Sequence, residues 1–261
     1  MFDFHTVPNS DWGILPVLFK VGNVSVSSYS FFMLLAIAFG SLVYWLEARK
    51  QKVANENSFY IIIAALIGGA IGAKLLTVVY YWNQIVASFP DLTILLSGRS
   101  ILGGLIGGFL GVLLVKKKLN IRGRRGNLFV PAIALGVAIG RIGCFLAGCC
   151  LGDPTSLPWG VDFGDGILRH PTQLYEFLFM LGVFFYSKWK LKDKKLKPGQ
   201  LFNQFIIIYF VWRFLVSFIR AEPSVFLGLE FFQWFSLGAI FLFWIRGRKF
   251  RKHKSLAEHN F

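Results

Sequence analysis

The chain has 261 residues, 55% hydrophobic and 16% charged, yet its formal net charge is +15. So apolar a composition excludes a disordered chain, and three Cys are too few for a disulfide scaffold. A mean hydropathy of +0.58 with 29 Phe speaks against a soluble nucleic-acid module. The length suits one or two soluble domains, or roughly six to eight membrane spans of about 20 residues each.

Runs long enough to cross a hydrocarbon core of ~30 Å recur along the chain. Residues 29–46 carry no charge. Residues 59–82 carry only Lys74, and 101–115 is short and glycine-rich. Residues 127–151 carry only Arg141. Residues 174–189 hold Glu176 in the first turn and a Lys near the end, 201–219 hold Arg213, and 227–245 hold Glu230 near the start. A buried soluble core needs no such series, so seven helices are expected.

The segments between these runs test the assignment. In order they carry three, one, six, one, six, one and six Lys or Arg, the last six in the tail beyond Ile245. The alternation is that of the positive-inside rule. It predicts an all-α, polytopic membrane protein with seven transmembrane helices, the N-terminus outside and the C-terminus in the cytoplasm. Residues 1–261 then form one integral membrane domain. Residues 1–27, which lack a basic start, read as an external cap rather than a signal peptide. Residues 28–246 form the bundle and 247–261 a basic cytoplasmic tail. Of the 28 Lys and Arg, 21 fall on the cytoplasmic side, where topology and anionic lipid account for them. The remaining seven are Lys20 in the cap, then Lys74, Arg99, Arg141, Arg169, Arg213 and Arg220 within spans or on the outer side.

An Arg or Lys at a helix centre costs roughly 2.5–3.5 kcal/mol to insert, so such residues face a bundle interior or a wet cavity. Lys74 has snorkelling to the headgroups as an equal alternative. Arg141 and Arg213 fall at similar depth. Glu176 and Glu230, the only carboxylates in the spans, lie near external helix ends, so a fixed anion such as a lipid phosphate is expected between the arginines. Glycines crowd the second, third and fourth spans, and small-xxx-small packing answers for most of them. In the third, the doubled Gly103–Gly104 and Gly107–Gly108 clear two faces, one of them open to a ligand.

The stretch RHPTQLYE, Arg169 to Glu176, sets Arg169, His170, Gln173, Tyr175 and Glu176 at one membrane surface, with Pro171 and Thr172 opening and capping a helix. An interfacial belt of polar anchors is the alternative. Cys144, Cys149 and Cys150 cluster near the outer end of the fourth span. No His or carboxylate stands at ligand spacing, so no metal site is expected. Cys144 reads as a buried thiol, and the Cys149–Cys150 pair stays open between thiols and a disulfide.

In order, SSYS around Tyr29, GGLIGG at 103–108, GRIGCF at 140–145, PWGVDF at 158–163, RHPTQLYE at 169–176, YFVWRF at 209–214, FIRAEP at 218–223 and QWFS at 233–236 make the chain resemble the bacterial phosphatidylglycerol–prolipoprotein diacylglyceryl transferases. The resemblance implies transfer of the diacylglyceryl group of phosphatidylglycerol to the lipobox cysteine thiol of prolipoprotein signal peptides. Glycerol 1-phosphate is released, at the bacterial plasma membrane, without cofactor, metal or nucleic acid. It implies catalytic roles for Arg141, Arg213, Tyr29 and His170. Lipid contacts are implied for Arg141, Arg213, Tyr209, Gly103, Gly104, Gln173, Tyr175 and Glu176. The chain departs from the family pattern at Leu102, where a His is usual, at Cys144, Ala147 and Cys149 in place of Asn, Asn and Glu, and at Ser217 in place of Glu. A lipid-binding or lipid-transporting membrane protein that lost the chemistry is the alternative these departures raise.

Overall fold

A computed structural model of the chain describes residues 12–22, 24–80, 82–87, 101–121, 125–221 and 224–258. Arg99 and the rest of 88–100, much of the N-terminal cap, and the motif residues Glu222 and Pro223 lie outside the described residues. Among those described, the helices are α1 Ser28–Lys50, α2 Glu56–Tyr80, the short α3 Trp82–Ala87, α4 Ile101–Lys118, α5 Gly126–Leu146, α6 Thr172–Lys190, α7 Gln200–Val216 and α8 Phe231–Glu258. Short antiparallel hairpins pair β1 Val17–Val21 with β2 Val24–Ser27, β3 Val161–Asp162 with β4 Leu168–Arg169, and β5 Ser224–Phe226 with β6 Leu229–Glu230.

Each apolar run of the sequence falls on a helix. Among the described residues, four stretches are long and apolar enough to cross a membrane: Ser28–Lys50, Glu56–Val79, Gly126–Leu146 and Gln200–Ile219. Leu34, Leu75, Val79, Leu114, Leu178, Leu215 and Leu242 are each more than half exposed, which suits lipid rather than water. Three boundaries differ from expectation. The fourth run ends its helix at Leu146, so Cys149 and Cys150 stand beyond it. The start of the seventh run is taken up by the β5–β6 hairpin, and α8 continues through the basic stretch to Glu258 rather than releasing it as a tail.

The chain divides into two compact units, and the boundary falls within α1. In the unit that includes Trp45–Gly123, α2 and α4 run antiparallel on a stripe of small residues: Ala64 lies on Gly111, Gly68 on Gly107 and Gly72 on Gly103. A Cβ at Gly72 would sit 2.7 Å from the Cα of Gly107, closer than any side chain tolerates. Both doubled glycine pairs of α4 face α2, and a Cβ at Gly104 would sit at an ordinary 3.6 Å from the Gly69 carbonyl oxygen. Close helix packing, not a second face open to a ligand, accounts for them.

The other unit comprises Trp12–Tyr44 and Arg124–Phe261. Here α1 lies antiparallel on α5. The start of α1 meets Gly143, Ala36 meets Gly136, Gly40 meets Ala132, and the rings of Tyr44 and Phe129 are 4.5 Å apart. α6 returns antiparallel to α5, and Phe179 stacks on Trp212 of α7 at 4.3 Å. α8 runs back along α7 through Phe210 with Phe235, 5.6 Å between centroids, and through the Asn203 amide, which donates to the Phe243 carbonyl at 3.0 Å.

α7 opens on Gly199, at φ 80°, and has no cap of its own. Buried Asn127 of α5 supplies one. Its side-chain oxygen accepts from the N–H groups of Leu201 (3.0 Å) and Phe202 (3.3 Å), and its amide donates to the Lys197 carbonyl at 3.0 Å. These are donors that a helix N-terminus leaves without intrahelical partners. The bond also sets the two helices side by side from their first turns. Asn127→Ala should therefore destabilise the fold by about 1–3 kcal/mol, read as a lowered midpoint of thermal unfolding in detergent. An unchanged midpoint would show that α7 does not need this cap.

Candidate active site

Registration of α5 and α7 fixes the heights of their arginines. Arg141 lies 14 residues beyond Asn127 and Arg213 12 beyond Leu201, so at 1.5 Å per residue they stand about 21 and about 18 Å along parallel helices. Both are buried, at 2% and 6% exposure. The spacing of four places Phe205, Tyr209 and Arg213 of α7, and Ser217 just past its end, on one face, and all four are buried.

The carboxylate that sequence reasoning placed at a surface is the partner of Arg141. Glu176, 1% exposed, sits one turn into α6, and its Oε2 is 2.7 Å from Arg141 Nη2. Tyr209 lies within electrostatic range of Glu176, Arg213, Arg141 and Arg220 together. The Arg213 guanidinium lies over the Phe232 ring at 5.0 Å. Gln173 Oε1, Glu176 Oε1 and Ser217 Oγ are buried without a hydrogen-bond partner among the described residues. Such atoms suit a site that takes a polar ligand.

RHPTQLYE thus divides by burial. Thr172, Gln173 and Glu176 point inward, so the motif is not one surface belt. Thr172 does not cap α6, which has no side-chain cap. Its hydroxyl donates to the Cys150 carbonyl at 2.8 Å, while the Gln173 amide donates to that of Cys149 at 2.5 Å. His170 and Tyr175 remain half-buried and pair with each other, His170 Nδ1 being 3.3 Å from the Tyr175 hydroxyl, which also accepts from Trp159 Nε1 at 2.8 Å. Arg169 pairs with Asp165 at 2.6 Å. That guanidinium holds the Asp165 carboxyl below the usual carboxylate range, so the pair persists at neutral pH and is lost only on acidification through that lowered pKa.

Gly152 joins these parts. Its N–H donates to the His170 carbonyl, it bridges to Arg220, and a Cβ there would sit 2.6 Å from His170 Cβ and 2.9 Å from the Ile219 oxygen. Tyr29 approaches from α1, its Cα 3.4 Å from where Gly143 would carry a Cβ. Gly103 and Gly104 belong to the other compact unit. Sequence reasoning set Arg220 among the seven basic residues off the cytoplasmic side but gave it no place in the site; it is buried, at 4% exposure.

Neutralising one member of a buried pair strands the other. Glu176→Gln should destabilise the protein by about 3–5 kcal/mol. An apolar double replacement, Arg141→Met with Glu176→Met, should recover most of that in thermal unfolding. Equal stability of Glu176→Gln and the parent would mean that water reaches the pair.

A family model described as prolipoprotein diacylglyceryl transferase matches residues 16–246. The phosphatidylglycerol–prolipoprotein diacylglyceryl transferase of Clostridium tetani is 35% identical over 215 residues, covering 80% of this chain and 86% of that protein. The protein of Clostridium perfringens named phosphatidylglycerol–prolipoprotein diacylglyceryl transferase 2 is 31% identical over 253 residues, 90% and 97% of the two chains. The Bordetella parapertussis transferase is 33% identical over 253 residues, 85% and 90% of the two. With its arginines buried on α5 and α7 and Glu176 of RHPTQLYE turned inward against Arg141, the chain belongs to the prolipoprotein diacylglyceryl transferase family.

Proposed function

We propose that the chain transfers the diacylglyceryl group of phosphatidylglycerol to the lipobox cysteine thiol of prolipoprotein signal peptides and releases glycerol 1-phosphate. It does so as a single seven-span domain of the bacterial plasma membrane, N-terminus outside and C-terminus in the cytoplasm. The buried arginines carry the assignment. Among the described residues of the unit that holds the site, Arg141, Arg213 and Arg220 are buried, with Glu176 against Arg141, and the planar fork of a guanidinium suits a phosphodiester.

In the reaction the cysteine sulfur forms a bond to the glyceryl carbon that carries the phosphate. The carbon–oxygen bond breaks, and its electron pair stays on the departing phosphate. Arg141 and Arg213 hold that phosphate and stabilise the charge it gains in the transition state. Tyr209, one turn before Arg213, Tyr29 and Gln173 position the headgroup, and Glu176 fixes the Arg141 guanidinium. His170, steadied by Tyr175, accepts the thiol proton. The family His absent at Leu102 is then not required.

The direct test supplies purified protein, phosphatidylglycerol and a lipobox peptide and follows glycerol phosphate release. Lipid binding without release would favour the lipid-binding alternative. Arg141→Lys and Arg213→Lys should each lower kcat/KM by about 10² or more, because an ammonium cannot reproduce the bidentate fork; retention of full activity would remove the shared-phosphate role. His170→Gln should cost about 10² at neutral pH and recover as the pH passes about 8.5, where a free thiol ionises unaided. A pH-independent loss would reassign His170 to positioning.

A further inference from the structure

All three cysteines of the chain meet at one point. The end of α5 brings them there. The Gly148 N–H donates to the Phe145 carbonyl and the Cys149 N–H to that of Cys144 at 3.0 Å, with Gly148 at φ 67°. This is a Schellman cap, whose geometry brings the side chain three positions inside the helix end against the one just past the glycine. Those positions are Cys144 and Cys149. The next residue, Cys150, adopts φ 65°, a left-handed conformation that costs a non-glycine residue about 1–2 kcal/mol.

A cysteine at a cap contact is ordinarily a small apolar side chain. That account covers Cys144 and Cys149 but gives no reason for a side chain at Cys150, where glycine would avoid the strain. The loop is also pinned, because the Cys149 and Cys150 carbonyls are held by Gln173 and Thr172. The three sulfurs lie within 4.8 Å of one another, and those of Cys149 and Cys150 are 3.9 Å apart. Two thiolates bound to one zinc at about 2.3 Å lie roughly 3.8–4.0 Å apart across tetrahedral to trigonal angles. Cys144 and Cys150 are buried and Cys149 is half-buried, which leaves a way in from one side.

We propose that Cys144, Cys149 and Cys150 form a three-thiolate site for one thiophilic d10 cation, Zn(II) with a non-protein fourth ligand or Cu(I) in trigonal coordination. The helix cap supplies what ligand spacing in the sequence does not. Soft sulfur donors select this class of ion over Mg(II) or Ca(II).

The test uses the full-length protein, reduced and kept anaerobic in detergent. In one arm Co(II) stands in for Zn(II). It should give a thiolate charge-transfer band with tetrahedral d–d bands, saturating at one equivalent and bleached by Zn(II). In the other arm Cu(I) is titrated against a competing chelator, and the tighter arm identifies the ion. Cys149→Ser should weaken binding at least tenfold, whereas replacing the terminal His5, His253 and His259 should leave it unchanged. Because a serine variant could disturb the cap, wild-type protein supplies a second readout: one equivalent of the bound ion should slow alkylation of Cys149 at least tenfold. Absence of the charge-transfer band and of tight Cu(I) binding, affinity unaffected by Cys149→Ser, dependence on the terminal histidines, or unchanged alkylation would each overturn the site.

Discussion

The 2.7 Å pair between Arg141 and Glu176 lies where neither ion retains water, their side chains being 3% and 1% exposed. Such a pair gives little net stability, because desolvation consumes most of the Coulombic gain. Its effect is on arrangement. Arg141 comes late on α5 and Glu176 early on α6, so the ions meet only when the end of one helix is level with the start of the other. The same registration brings Thr172 and Gln173 under the carbonyls of Cys150 and Cys149. One electrostatic requirement thereby orders the helix pair, the cap that ends α5 and the inward face of RHPTQLYE.

The second registration is made far from the chemistry. Asn127 holds the first turn of α7 from the first turn of α5. Two helices tied at one end and running in parallel carry their arginines to nearly the same height. A guanidinium one helical turn out of place would lie about 5.4 Å away, too far for a phosphate to bridge it to its partner. Asn127 is thus a positioning residue for a site roughly 20 Å distant. The Arg213 guanidinium is further oriented by the Phe232 ring and Arg220 by the backbone bridge to Gly152, so the three cations are set by three different devices.

Much of this was legible in the sequence. The apolar runs gave the helices, because a chain that buries its backbone in hydrocarbon must satisfy it within each segment. That the interrupting arginines would be buried was legible too, because charge at membrane depth faces a bundle interior. The partner of Arg141 was not legible. Position near a helix end was read as position at a surface, but the backbone after α5 lies against the start of α6, and Glu176 is buried one turn in. Thr172 was read as a cap from its local order, whereas its hydroxyl bonds a carbonyl 22 residues away. The close meeting of the three cysteine sulfurs was not legible for the same reason. Ligand spacing is a one-dimensional rule, and a Schellman turn creates proximity that residue spacing does not encode. The glycines of α4 were over-read in the other direction, since packing on α2 accounts for both doubled pairs.

The departures from the family pattern acquire a physical sense in this arrangement. The resemblance implies Glu where Cys149 and Ser217 stand, one just past the end of α5 and the other one turn beyond Arg213. A carboxylate fewer at either place raises the local potential. On the function proposed above, a more positive potential favours both the bound phosphodiester and the thiolate, and on that reading it compensates for Leu102 in place of a histidine.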